Sequence, residues 1–201
     1  MNFLEITEKR YATKKFTGEK IPDEKIVELK KLIQNAASSF GLQPYTIVVV
    51  SSDEQKNALK SAAFDQEQIP TCSHLFIFCA NTKVKERIDE YEQMLSGGAE
   101  LNESAKGYIQ MMRDSLENLS TEDITHWATK QTYIALSNAI NGAKSLGFDS
   151  CPMEGFNPEE FAKILELPEH IKPVVLCPVG FAADEPRPKL RYSLTELFKE
   201  K

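Results

Sequence analysis

The chain has 201 residues, 41% of them hydrophobic and 27% charged, the balance of a water-soluble globular protein long enough to bury a sizeable core. A formal net charge of −6 argues against general binding to nucleic-acid phosphates. No apolar run approaches the roughly 20 residues that a membrane helix needs. Residues 1–5 lack the basic-then-apolar pattern of a signal peptide, so the expected location is the cytoplasm.

Without repeats, low-complexity stretches or Gly/Ser linkers, residues 1–201 read as one domain. Residues 2–9 predict a short helix. A second opens at Ile21-Pro22-Asp23-Glu24, with proline and acids in its first turn and an apolar stripe at Ile26, Leu29 and Ile33. Residues 45–50 are rich in β-branched side chains and predict a strand. Residues 53–63 predict a surface helix. Residues 74–80 form an unbroken apolar run, which predicts a central strand covered on both faces. A helical, charged excursion is expected over residues 83–118, broken at Ser96-Gly97-Gly98.

The helix expected over residues 122–146 steps its apolar and small side chains by three and four, through Trp127, Ala128, Ile134, Ala135, Ala139 and Ala143, and stops at Gly147. Its small-residue surface suits a domain centre, a subunit interface or an ordinary core. A short helix over residues 158–165 follows. The third strand, residues 172–180, contains Pro173 and Pro178, which predict an edge or a bulge. The tail from residue 185 is expected to be extended before a last short helix. Strands separated by helices without βαβ regularity point to a mixed sheet flanked by helices.

Few motifs stand out alone. Cys72, Cys79, Cys151 and Cys177 form no Cys-x-x-Cys pair and no metal spacing. Cys72 and His74 are too few ligands for zinc. Thiol redox work by Cys151 would lack an evident resolving cysteine or activating base. His74 lies in an apolar strand, where a satisfied core histidine is the ordinary reading. There is no dinucleotide fingerprint, P-loop or nucleophile elbow. Basic residues cluster near both ends: Arg10, Lys14 and Lys15, then Arg187, Lys189 and Arg191. They are two solvated stretches, or one anion site if the fold joins the ends.

Five segments taken in order carry more. They are Arg10-Tyr11-Ala12-Thr13-Lys14-Lys15-Phe16, Ser38-Ser39-Phe40-Gly41-Leu42-Gln43-Pro44-Tyr45, Asp65-Gln66-Glu67-Gln68, Pro152-Met153-Glu154-Gly155-Phe156 and Lys189-Leu190-Arg191. Their order and distances resemble the FMN-dependent nitroreductase family, which includes NAD(P)H-dependent nitroreductases, quinone reductases and dihydropteridine reductases. The family pattern runs Arg-x-Ser-x-Lys/Arg-x-Phe, Ser-Ser-x-Asn-x-Gln-Pro-Trp, a polar Asn-x-x-Lys/Gln, Pro-x-Glu-Gly-Phe and a late Lys-x-Arg.

The resemblance implies an α+β fold with a central mixed, mainly antiparallel β-sheet flanked by helices, and a long central helix at the interface of a homodimer. It implies FMN as cofactor and NADH or NADPH as electron donor. Arg10, Lys189 and Arg191 would hold the FMN phosphate, with Tyr11 and Ala12 beside them. Lys14 would stand by the flavin pyrimidine, near Asp65 and Gln68. Ser38, Ser39 and Gly41 would reach the cofactor from the partner subunit. Pro152, Met153, Glu154 and Gly155 would form the turn whose backbone N–H groups face flavin N5 and O4. Tyr108 and Met112 are candidates for the acceptor pocket, with packing as the plainer account.

Ala12, Gly41 and Asp65 depart from the pattern. Each removes or changes a polar contact, and an ionised Asp65 cannot donate to the flavin. Two functions therefore remain in view: hydride transfer to a nitroaromatic, quinone or similar small acceptor, and flavin storage or regulation with little turnover.

Overall fold

In the computed structural model, which describes Met1–Lys201, four strands form one sheet. They are β1 (Tyr45–Val50), β2 (His74–Asn81), β3 (Asp149–Ser150) and β4 (Ile171–Gly180), in the order β1-β2-β4-β3. Every residue of β2 is buried, as a run with no polar face requires. Leu75, Ile77 and Cys79 enter one apolar cluster and Phe76 and Phe78 another, because successive side chains leave opposite faces of a strand. The first cluster is completed by Phe16, Leu59, Ile69 and Phe161. The second is completed by two helices, α2 (Asp23–Gln34) and α7 (Thr121–Ser145). The chain is thus α+β, with helices over both faces of the sheet.

The sheet is mainly antiparallel, as expected: all paired strands run antiparallel, and the one parallel pairing is an isolated bridge between Ala12 and Ser150. The third predicted strand, β4, is not an edge: β2 lies on one side and β3, with the Met153–Leu176 bridge, on the other. The bulge is present, since the register slips where Phe78 opposes Val175 but Cys79 opposes Pro173. Proline removes only a donor from a strand. The Pro178 carbonyl still accepts from Cys151 N–H at 3.1 Å.

The long helix α7 opens with a capping box between Ser120 and Asp123. Its buried face is Ala128, Gln131, Thr132, Ala135, Leu136, Ala139, Gly142 and Ala143, whereas Ile134 is exposed. Small side chains let α2 approach closely: a Cβ on Gly142 would stand 3.1 Å from Leu32 Cδ1. The charged excursion folds as α5 (Val84–Ser96) and α6 (Glu103–Glu117), interrupted by Gly97 and Gly98 at positive φ. Arg113 joins these helices through Asp89 at 2.6 Å and Glu92 at 2.7 Å. His74 is the satisfied core histidine expected, with Nδ1 2.9 Å from Ser73 Oγ, which also accepts from Ile21 N–H at 2.8 Å.

Gly180 ends β4 where Phe16 crosses it. A Cβ there would lie 2.8 Å from Phe16 Cδ1 and 3.2 Å from the Ser73 backbone nitrogen. Phe16 is fully buried and cannot swing away. Gly180→Ala should therefore lose about 1–3 kcal/mol of stability through overpacking. Urea unfolding would show this as a lower midpoint at unchanged slope; an unaltered midpoint would refute it.

A buried cation ties α3 (Asp53–Lys60) to the segment entering β2. Lys56 Nζ donates to the carbonyls of Cys72 at 2.5 Å and Pro70 at 3.3 Å, and meets Asp53 at 2.9 Å. Lys20 meets the same carboxylate at 2.8 Å. Hydrogen bonds from Lys20 and then Lys56 hold the Asp53 carboxyl down to about 2. The folded value lies below the unfolded value of about 3.9, so the contribution is full above that value and is lost as pH falls through the folded one. The stability gap between the protein and its Asp53→Asn variant should be constant above about pH 5 and close between about pH 4 and 2. A gap independent of pH across that range would contradict this.

Candidate functional site

The two basic ends of the chain meet. Helix α1 (Phe3–Lys9) stops at Arg10, whose extended backbone (φ −64°, ψ 136°) turns the chain back toward the sheet. Thr13 N–H then donates to Ser150 O at 3.3 Å, Thr17 N–H to Phe181 O at 2.9 Å, and Ala183 N–H to Lys15 O at 2.8 Å. This zipper fixes residues 12–17 against β3 and the chain leaving β4. Behind it lies a cavity of about 560 Å³ lined by Arg10, Lys14, Arg187, Lys189 and Arg191, with Tyr11, Ala12 and Pro152 among its walls.

Five cations face this space against two carboxylates, Asp184 and Glu185. Asp184 is engaged, accepting from Lys14 N–H at 2.8 Å, while its carbonyl accepts from Tyr11 Oη at 2.7 Å. Every ion pair of the chain lies elsewhere. Burial, followed by the Arg191 guanidinium, lowers the pKa of half-buried Arg10. Burial, then Arg10 and Arg191, lowers that of Lys189. Like charges held together with few counter-charges form an electrostatic trap for an anion. Lys189 has a second role: its Nζ donates to the carbonyls of Thr7 at 2.5 Å and Glu8 at 2.7 Å. These belong to the last turn of α1, where a cation complements the helix dipole.

Pro152, at the cavity wall, leads into the turn Met153–Phe156. Met153 N–H is bonded to Leu176 O at 2.9 Å, Phe156 N–H to Glu154 O at 2.9 Å, and Asn157 N–H to Ala62 O at 2.8 Å. The N–H groups of Glu154 and Gly155 have no acceptor in the chain, which leaves two adjacent exposed donors. Tyr133 Oη donates to Glu154 Oε1 at 2.5 Å. Burial, then the Glu154 carboxylate, pushes the Tyr133 phenol up to about 12, so it keeps its proton at neutral pH. Gln66 Nε2 donates to Gly155 O at 2.6 Å. Lys14 Nζ lies 3.5 Å from Cys151 Sγ, and Gln68 Nε2 lies 4.0 Å from the same sulfur, so Lys14 and Gln68 converge next to this turn.

Other candidate residues stand apart. Ser38 Oγ accepts from Gln43 N–H at 2.9 Å, and Ser39 N–H donates to Gln131 Oε1 on α7 at 2.8 Å. Gly41 lines a separate groove of about 730 Å³ between α2, β1 and α5. Asp65 is exposed and follows Phe64, both at positive φ. Side chains other than glycine seldom adopt that conformation without cost, and such strain often marks working segments. Tyr108 is exposed and sits edge-on to Phe40, ring centres 6.4 Å apart. Met112 is fully buried in the cluster joining α5 and α6, so packing accounts for it.

Sequence reasoning missed Gln66, Tyr133 and Asp184. Gln66 lies within the polar segment Asp65-Gln66-Glu67-Gln68, where nothing local distinguishes it from its neighbours. A tyrosine in a helix of small residues was a usable signal for Tyr133, since its hydroxyl wants a partner. Asp184 had no local signal.

Known proteins resemble this chain in sequence and in fold. The profile of the Nitroreductase family matches residues 7–181. A Staphylococcus haemolyticus protein, provisionally named an NAD(P)H nitroreductase, is 34% identical over 200 residues, covering 90% of this chain and 89% of its own. The oxygen-insensitive NAD(P)H nitroreductase of Salmonella typhimurium is 30% identical over 194 residues, covering 90% and 88%. A protein from Exiguobacterium sibiricum, crystallised with FMN and provisionally described as a nitroreductase, superposes with a TM-score of 0.89 at 22% identity. That match covers 100% of this chain and 98% of the other.

Proposed function

This chain belongs to the nitroreductase family, and on that premise we propose that it is an NAD(P)H-dependent FMN oxidoreductase acting on a nitroaromatic, a quinone or a similar small acceptor. Residues 1–201 act as one FMN-binding domain within a homodimer. The observation that carries the reading is the meeting of Arg10, Lys189 and Arg191 in one cavity with no ion pair to silence them. The Salmonella relative's activity and the FMN held by the Exiguobacterium protein agree with it. Four buried free thiols fit a reducing compartment such as the cytoplasm.

The residues present suit FMN. Arg10 and Arg191 offer guanidinium forks that match phosphate oxygens, and Lys189 adds a point charge while capping α1. Ala12 brings no hydroxyl to this end, so the phosphate would rest on the cations alone. The unpaired N–H groups of Glu154 and Gly155 are donors suited to the polar edge of the isoalloxazine ring. Lys14 brings a fixed positive charge, and Gln68 an amide, to the same region. Asp65 is exposed, and its carboxylate would contribute acceptors only.

When bound, FMN supplies the chemistry by taking a hydride from the nicotinamide at N5 and passing electrons to the acceptor. Lys14 would stabilise the negative charge gained on reduction. Ser38, Ser39 and Gly41 lie away from this cavity, so in the homodimer they would serve the partner's site. Tyr108 would border the acceptor pocket.

The test is the visible spectrum of the purified protein followed by turnover with NADH or NADPH and a quinone. A flavin spectrum that bleaches with NAD(P)H and recovers with quinone is expected. Bound FMN without turnover would favour storage or regulation. Failure to bind added FMN would defeat both readings.

A further inference from the structure

The unpaired N–H groups of Glu154 and Gly155 sit in an exposed turn with little backbone bracing of its own. Of the turn's backbone, Met153 is tied to β4, and the next backbone bond leaving the turn is from Asn157 to Ala62. Between these points the direction of the two donors depends on side chains from elsewhere. Tyr133 grips the Glu154 carboxylate at 2.5 Å from the exposed side of α7. The opposite face of that helix is packed on the sheet and on α2, so the phenol is mounted on a rigid element. Gln66 grips the Gly155 carbonyl at 2.6 Å and anchors itself on Ala63 O at 3.0 Å. The fit leaves no slack: a Cβ on Gly155 would stand 3.3 Å from Gln66 Nε2.

We infer that Tyr133 and Gln66 are positioning residues, a two-point clamp that aims the Glu154 and Gly155 N–H groups at the electron-accepting edge of the bound flavin. The inference rests on the FMN reading above. A donor contributes to a reaction only if it already points where charge develops, because reorientation during the reaction would cancel the gain. Tyr133 bonds to Glu154 and to none of the three phosphate cations, so the clamp acts mainly on the rate of reduction and changes cofactor affinity little. Tyr133→Phe deletes one oxygen from a half-exposed ring and leaves the fold intact.

Two measurements test it. In the flavin-free protein, NMR order parameters of the Glu154 and Gly155 amides should fall from about 0.85 to below about 0.6 in Tyr133→Phe. In the FMN-loaded protein, the limiting rate of flavin reduction by NADH should fall about tenfold, with FMN affinity changed less than about threefold. Glu154→Ala keeps the backbone N–H and should reproduce the rate loss. The double variant should be no slower than either single one, since both cut the same contact. Unchanged order parameters, a wild-type reduction rate in Tyr133→Phe, or losses that multiply in the double variant would overturn the inference. A wild-type protein that binds no FMN would defeat the proposed function, while the order parameters would still decide whether the clamp exists.

Discussion

Arg10→Ala is expected to weaken FMN binding by roughly 30- to 700-fold, the equivalent of about 2–4 kcal/mol for a charge-assisted contact. Arg10 is half-buried, no ion pair occupies it, and it stands against Arg191 and Lys189. Folding has already incurred its desolvation and its repulsion, so an incoming phosphate relieves both. Removing the guanidinium forfeits that relief and the bidentate fork. The flavin-free variant should unfold at the same temperature as the parent or slightly higher, because a like charge has gone and no protein acceptor is abandoned. Lys189→Ala should differ, losing the cap on the α1 carbonyls together with the phosphate contact. Fluorescence titration with FMN, beside thermal unfolding of the flavin-free proteins, separates these outcomes. An Arg10→Ala affinity within threefold of the parent would remove the cavity's claim to the phosphate.

Lys56→Met should lower stability by about 2–4 kcal/mol by orphaning acceptors. The corresponding fall in Tm is roughly 5–15 °C for a chain of this length. Methionine keeps most of the buried stem, so the loss reports hydrogen bonds more than a cavity. The Cys72 and Pro70 carbonyls would lose their donor inside the protein, and Asp53 would keep only Lys20. Asp53→Asn should cost less, since its carboxylate is exposed and Lys56 retains both carbonyls. A Lys56→Met midpoint within about 2 °C of the parent would mean that water replaces the ammonium without loss.

Strands β1 and β2 were legible because their signals are local. The β-branched run at residues 45–50 and the unbroken apolar run at 74–80 each state their own burial. Helix α7 was legible within a residue at each end, because its small side chains recur at helical spacing and Gly147 stops it. The long apolar run of β4 was legible too, but its place in the sheet was not. Two prolines suggested an edge, and only the partners on both sides show that a bulge and spare carbonyls absorb them.

The candidate site divides the same way. Sequence alone determined an acidic chain with basic ends and five ordered segments matching one family pattern. It named Arg10, Lys14, Lys189 and Arg191 before any fold was known. Only the tertiary structure joined residues 10 and 191, through the zipper of residues 12–17 on β3 and the exit of β4. Only it separated Ser38, Ser39 and Gly41 from that cavity, buried Met112, and paired Tyr133 with Glu154 and Gln66 with Gly155. The physical reason is range. Propensity and periodicity are set by neighbours a few residues apart, whereas these contacts join residues from 21 to about 180 positions apart and depend on strand order.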